Sequence, residues 1–233
     1  MRHNRLSILL VSCAALISAA ACDISRDPFY TSYMTVVADT ASESGSVSIS
    51  HLVSDDSMKV YPVSYSQTLS GLKDGQRIIG TFTIPSGKIS DPLNVEFQSI
   101  ALLQTDSIRS TPANDLTCND PVTITAAWHS GGVYGAARYV TAVFNIMQAG
   151  LYPHSIFLTE DTAAAVNPDA DGYYRLRFLH DAGKDPASYQ ASGIITYPVT
   201  GKYAEPDIRG LKISFNTLSS SKDSTVTVRF GLN

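Results

Sequence analysis

Residues Leu211 to Phe230 read largely in steps of two. Leu211, Ile213 and Phe215 fall on one side of an extended chain, with Lys212 and Ser214 on the other. Val226, Val228 and Phe230 oppose Thr225, Thr227 and Arg229 in the same way. Successive side chains point to opposite faces in a β-strand, so this period predicts sheets with one buried face. The same step runs through earlier segments. Val47 and Ile49 alternate with Ser46, Ser48 and Ser50. Ile78, Gly80, Phe82 and Ile84 alternate with Ile79, Thr81 and Thr83, and Val95, Phe97, Ala101 and Leu103 with Glu96, Gln98 and Leu102. Turn residues punctuate the runs, as at Lys73-Asp74-Gly75, Asp91-Pro92 and Asp171-Gly172. Tyr134 to Gln148 is long and contains Ala, but Tyr139, Val140, Thr141, Val143 and Phe144 favour strand. The expected fold class is all-β.

The first 21 residues read as an export signal. Arg2, His3 and Arg5 precede an uncharged run from Leu6 to Ala21, the pattern of a basic n-region and an apolar h-region. That run is shorter than the ~20 residues a spanning helix needs. It ends in Ala19-Ala20-Ala21-Cys22, small residues before a cysteine, as in a bacterial lipobox. Cys22 is therefore the expected lipidation site. The expected location is the cell envelope, lipid-anchored at the outer membrane, on its periplasmic face. With Cys13 removed and Cys22 acylated, Cys118 remains alone and no internal disulfide can form. Asp115 and Asp120 flank it, which does not favour a thiolate.

Removal of the signal leaves 15 basic residues against 21 acidic, a net charge of −6. There is no Lys/Arg cluster, which argues against nucleic acid as a partner. A polar, broken stretch separates the chain into two parts, with Ser107, Ser110, Thr111-Pro112 and Asn114-Asp115. The expected organisation is a lipidated tether over 22–32, one domain over 33–106, a linker over 107–119 and a second domain over 120–233.

Several segments, in order, resemble the NigD-like lipoproteins of Bacteroidetes. In the first half these are Tyr61-Pro62 and Leu72-Lys73-Asp74-Gly75-Gln76-Arg77-Ile78-Ile79-Gly80-Thr81-Phe82-Thr83-Ile84. In the second half they are Asp120-Pro121-Val122-Thr123-Ile124-Thr125-Ala126-Ala127-Trp128, then Pro153-His154-Ser155-Ile156-Phe157-Leu158, then Leu176-Arg177-Phe178-Leu179-His180-Asp181-Ala182-Gly183-Lys184-Asp185. The resemblance implies an N-terminal OB-like barrel and a C-terminal immunoglobulin-like β-sandwich. It supplies no catalytic residues, and it suggests bacteriocin immunity as one form of function.

Of the candidate sites, His129, His154 and His180 could in principle hold zinc, but no H-x-x-x-H spacing accompanies them. Asn167, Asp169, Asp171 and Gly172 match the first half of a calcium loop, yet Phe178 stands where the bidentate Glu belongs. A turn is the expectation there. No G-x-S-x-G elbow is present. No cofactor and no metal are expected. The chain is rich in tyrosine, and Tyr61, Tyr65, Tyr134, Tyr139, Tyr173 and Tyr174 are the expected interface residues, because Tyr joins an apolar body to a polar tip. The expected function is non-enzymatic binding of an envelope protein or component. A glycan-binding module is the alternative, since OB barrels bind oligosaccharides, and an envelope hydrolase is the third reading.

Overall fold

The computed structural model describes residues 28–38, 49–63, 69, 71–110, 118–161, 166–219 and 222–231. The signal, Cys22 and Tyr65 lie outside these residues. The described chain is all-β and divides into two compact units.

The first unit is a closed barrel of five strands: β1 (Tyr30–Ala38), β2 (Ile49–Ser54), β3 (Lys59–Pro62), β4 (Arg77–Thr83) and β5 (Leu93–Leu102). Their order is β1-β2-β3-β5-β4. β4 returns to β1 antiparallel, and β3 runs parallel to β5. This is the OB arrangement. The inward residues Met34, Leu52, Val60, Ile78, Phe82, Val95 and Phe97 form the core, with Leu69 added from the β3–β4 connection. Gly80 has no Cβ because the Phe97 ring occupies its place, 2.6 Å from where one would stand.

The second unit is a sandwich. One sheet has the order β10-β7-β6 and the other β12-β11-β9-β8. The strands are β6 (Val122–Ser130), β7 (Tyr139–Gln148), β8 (Ser155–Glu160), β9 (Tyr173–Asp181), β10 (Tyr189–Pro198), β11 (Gly210–Asn216) and β12 (Asp223–Arg229). β9 and β11 pair in parallel, whereas β11–β12 and β8–β9 are antiparallel. Val140, Ala142, Phe144 and Ile146 on β7 share one core with Leu176, Phe178, Ile195, Tyr197, Leu211 and Ile213. The alternation read at Leu211–Phe215 is the alternation of burial along β11.

Three details differ from the sequence expectation. β1 begins at Tyr30, inside the expected tether. The amide of Arg109 donates to Leu158 O and its carbonyl accepts from the Glu160 amide, so the first residues of the expected linker are stitched to the sandwich edge. Residues Ser130–Tyr139, which join β6 to β7, cluster with the barrel unit. Strand therefore begins at Tyr139 rather than Tyr134. Glycines cause this: Gly131, Gly132 and Gly135 all have positive φ, which suits turns and not strands.

Candidate functional site

The sandwich contains a buried polar network. His154 immediately precedes β8, His180 is the penultimate residue of β9, and Asp185 follows in the loop before β10. All three are buried. The His180 Nδ1–H donates to the Pro121 carbonyl at 3.0 Å. His180 Nε2 lies 2.7 Å from His154 Nδ1. His154 Nε2–H then donates to Asp185 Oδ2 at 3.0 Å. The carboxylate also accepts four backbone N–H groups. Ala149 and Gly150 donate to Oδ2 at 2.7 and 2.9 Å, and Leu151 and Tyr152 donate to Oδ1 at 2.9 and 3.1 Å.

Five donors thus converge on one carboxylate. Burial pushes the Asp185 pKa up, but the His154 N–H and the backbone N–H groups outweigh it, and the net shift is well below the ordinary 3.8. Burial is also the main influence on His180 and holds its pKa below 6.5; the Pro121 bond opposes this and the neighbouring His154 reinforces it. Asp120 and Asp181 pull His180 weakly the other way. Each of these two folded values is depressed, so each group binds fewer protons in the folded chain and contributes stability that is lost as pH falls. The loss begins below pH 6.5, through His180, and a second loss begins below about pH 4 through Asp185. Thermal melts from pH 7 to 5 are expected to show a falling Tm, with that step reduced in His180→Asn. A Tm independent of pH over that interval in the wild type contradicts the assignment.

The loop held by Asp185 carries the functional interest. Leu151 is 70% exposed, Tyr152 52% and Tyr189, at the start of β10, 51%. The Tyr189 hydroxyl accepts from Gln148 Nε2 at 3.2 Å. It also lies 3.2 Å from where a Cβ on Gly150 would stand. Pro153, Pro186 and Ala187 are exposed beside them. Leu151 and Tyr152 thus project from a turn whose backbone is fixed by a buried network, with Tyr189 of β10 beside it. The segments that carry the family resemblance, at Pro121, Pro153-His154 and His180 to Asp185, are the ones that build this support.

The residues expected from sequence are placed as follows. Tyr139 and Tyr174 are both 7% exposed. The Tyr139 hydroxyl donates to Gly75 O at 2.5 Å, and the Tyr174 ring packs edge-on against Tyr203. Neither presents a surface to a partner. Tyr173 and Tyr61 are half-buried and Tyr134 is exposed. His129 does not join the other two histidines; its ring lies 4.9 Å from that of Phe230. Among the described residues no His/Cys/Asp/Glu group could hold a metal ion. Asp169 accepts the amides of Asp171 and Tyr173, both at 3.0 Å. The Lys212 ammonium lies 2.7 Å from Asp169. Its hydrogen bond, followed by that of the Tyr173 amide, lowers the Asp169 pKa to about 2. A lysine thus stands where a calcium ion would be needed, and the segment is a capped turn. Burial, then Asp181, raise the Cys118 pKa, consistent with an idle thiol. Leu151, Tyr152 and Tyr189 were missed, because exposure in a loop leaves no periodic trace.

An OB-like barrel followed by a β-sandwich with a rigid apolar loop defines an all-β protein of two units. The model of the NigD-like C-terminal beta sandwich domain matches residues 106–230, and the chain belongs to the NigD-like family. Three solved structures share its fold. A protein of unknown function from Bacteroides vulgatus is 17% identical, covers 88% of this chain and 92% of its own, and has a TM-score of 0.66. A protein described as toxin-related, from Parabacteroides distasonis, is 22% identical over 86% and 93% of the two chains, with a TM-score of 0.64. A NigD-like immunity protein from Bacteroides caccae is 20% identical over 84% and 91%, with a TM-score of 0.55. No curated protein matches the chain.

Proposed function

We propose that this chain is a non-enzymatic envelope lipoprotein, anchored through a lipid on Cys22 at the periplasmic face of the outer membrane, that binds another protein in an immunity-like role. One observation carries the reading: Leu151 and Tyr152 are exposed on a turn whose backbone makes four hydrogen bonds to Asp185, with Tyr189 exposed beside it. Large exposed apolar side chains dominate binding when they enter a partner's pocket. A loop already fixed in the free protein loses less entropy on binding. The description of one structural neighbour as an immunity protein and of another as toxin-related agrees with this role. Binding rather than catalysis fits the chemistry of the network. His154 and His180 are each 2% exposed, and their nitrogens are engaged with Asp185, Pro121 and each other.

In-cell crosslinking followed by affinity purification tests this. The double variant Leu151→Asp/Tyr152→Ser keeps the backbone N–H groups that Asp185 accepts, so its Tm is expected to stay near that of the wild type. Its affinity for the captured partner is expected to fall by about 2 kcal/mol or more, roughly thirtyfold. Cys22→Ser is expected to mislocalise and to lose the partner in cells. Equal recovery with the double variant and the wild type refutes the assigned surface.

A further inference from the structure

The outward face of β2 and β3 is the face on which OB barrels take oligomeric ligands. In this barrel the register pairs Val53 with Lys59. Lys59 and Tyr61, two apart on β3, share that outward side while Val60 points into the core. His51, two before Val53 on β2, completes the row. Its ring lies 6.0 Å from Tyr61. The segment Ser130–Tyr139 lies on this unit and adds one more aromatic. His51 Nε2–H donates to Tyr134 O at 2.9 Å, which fixes the main chain there. Tyr134 has φ 51 and Gly135 φ 81, the signs that a type I′ turn requires at its two central positions. Glycine suits both positions, and a tyrosine is strained in the first. Such an outlier is a pointer to function when the side chain is displayed, and Tyr134 is 47% exposed.

The displayed ring faces a cation. Lys59 Nζ lies 5.2 Å from the centre of Tyr134 and 5.9 Å from the centre of Tyr61. Among the described residues no carboxylate pairs with that ammonium; the Asp91 carboxylate accepts the main-chain N–H of Lys59 instead, at 3.4 Å. Two aromatic rings flanking an ammonium that has no counter-ion among the described residues suit a ligand with flat apolar faces and an anionic substituent. A sugar ring bearing a carboxylate has both. Three side chains are also too few for a protein interface, which takes about 800 Å² from each partner.

We propose that Tyr134, Tyr61 and Lys59 form a binding site for a carboxylate-bearing glycan. The site is distinct from the sandwich loop assigned to a protein partner. Its test is calorimetric titration of the purified chain with tetragalacturonate and, as neutral counterpart, with the methyl ester. The acid is expected to bind about fivefold more tightly than the ester. Lys59→Gln is expected to erase that preference. Tyr134→Gly suits the backbone, so its Tm is expected to equal or exceed that of the wild type, while affinity falls roughly tenfold. A parallel titration with acidic polysaccharide from the producing cell's own envelope separates the two sources of such a ligand. Tighter binding of that material assigns an envelope glycan, and tighter binding of tetragalacturonate assigns an external one. Absence of saturation by either, equal binding of acid and ester, or unchanged binding in Tyr134→Gly overturns the proposal.

Discussion

Asp55→Ala is expected to destabilise the barrel by about 3–5 kcal/mol, the usual result of stranding a buried charge. Its partner Arg77 is only 1% exposed. Arg77 is held by its two terminal guanidinium nitrogens, Nη1 to Asp55 Oδ1 at 2.5 Å and Nη2 to Oδ2 at 2.7 Å. Nη1 also donates to the Thr35 hydroxyl at 3.0 Å. The Tyr139 ring lies 5.5 Å from the guanidinium carbon. A fork-to-fork pair of this kind fixes geometry as well as charge. Removing the carboxylate takes away the anion that Arg77 grips with two hydrogen bonds while the cation stays inside the protein. Arg77→Met is expected to cost less, because the Asp55 side chain is 13% exposed and can recover solvent. Replacing both, as in Arg77→Met/Asp55→Leu, is expected to return most of the loss, since a buried pair is often matched by apolar side chains of similar volume. Urea unfolding followed by circular dichroism gives the double-mutant cycle. An Asp55→Ala protein within 1 kcal/mol of the wild type removes the pair from any structural role.

Arg77 also marks how far the sequence could be read. Its strand was legible from Ile78, Phe82 and Ile84, because alternation is a local property of the chain. Its burial was not. Arginine is almost never fully buried unless paired, and its partner is 22 residues away, at no spacing that a motif could announce. The same division runs through the candidate sites. Tyr173 and Tyr174 are adjacent on β9, so they must face opposite sides, and only Tyr173 keeps part of its surface. Residue type alone could not say which. Tyr139 looked equally available, yet its hydroxyl is bonded to Gly75 from the barrel's own β3–β4 connection. The attachment of Ser130–Tyr139 to the barrel was beyond a local reading too. Its glycines set no period, and its contacts reach residues such as His51, 83 positions from Tyr134. His154, His180 and Asp185 stood inside segments that carry the family resemblance, but their meeting depends on the β8–β9 register, which pairs Ile156 with His180.

That meeting supports the second large effect. Asp185→Asn changes one atom, yet it is expected to lower Tm by on the order of 10 °C. Asp185 Oδ2 accepts from Ala149, Gly150 and His154, and Oδ1 accepts from Leu151 and Tyr152. An amide keeps one of these oxygens and replaces the other with an NH₂ group, which has no lone pair to offer. Whichever way the amide turns, at least two donors face a donor in a site closed to water. Unpaired buried donors are costly, and more so beside a charged group. The turn should therefore release Leu151 and Tyr152 from their fixed positions, and hydrogen exchange should show loss of protection at the amides of residues 149–152. Partner binding should fall as well, by the ordering cost that the free loop then has to meet. The comparison with Leu151→Asp/Tyr152→Ser gives the result its meaning. That variant is expected to keep Tm and amide protection while losing the partner, whereas Asp185→Asn loses all three. If Asp185→Asn retains wild-type protection at 149–152, the carboxylate does not hold the turn, and the link between the buried network and the displayed surface fails.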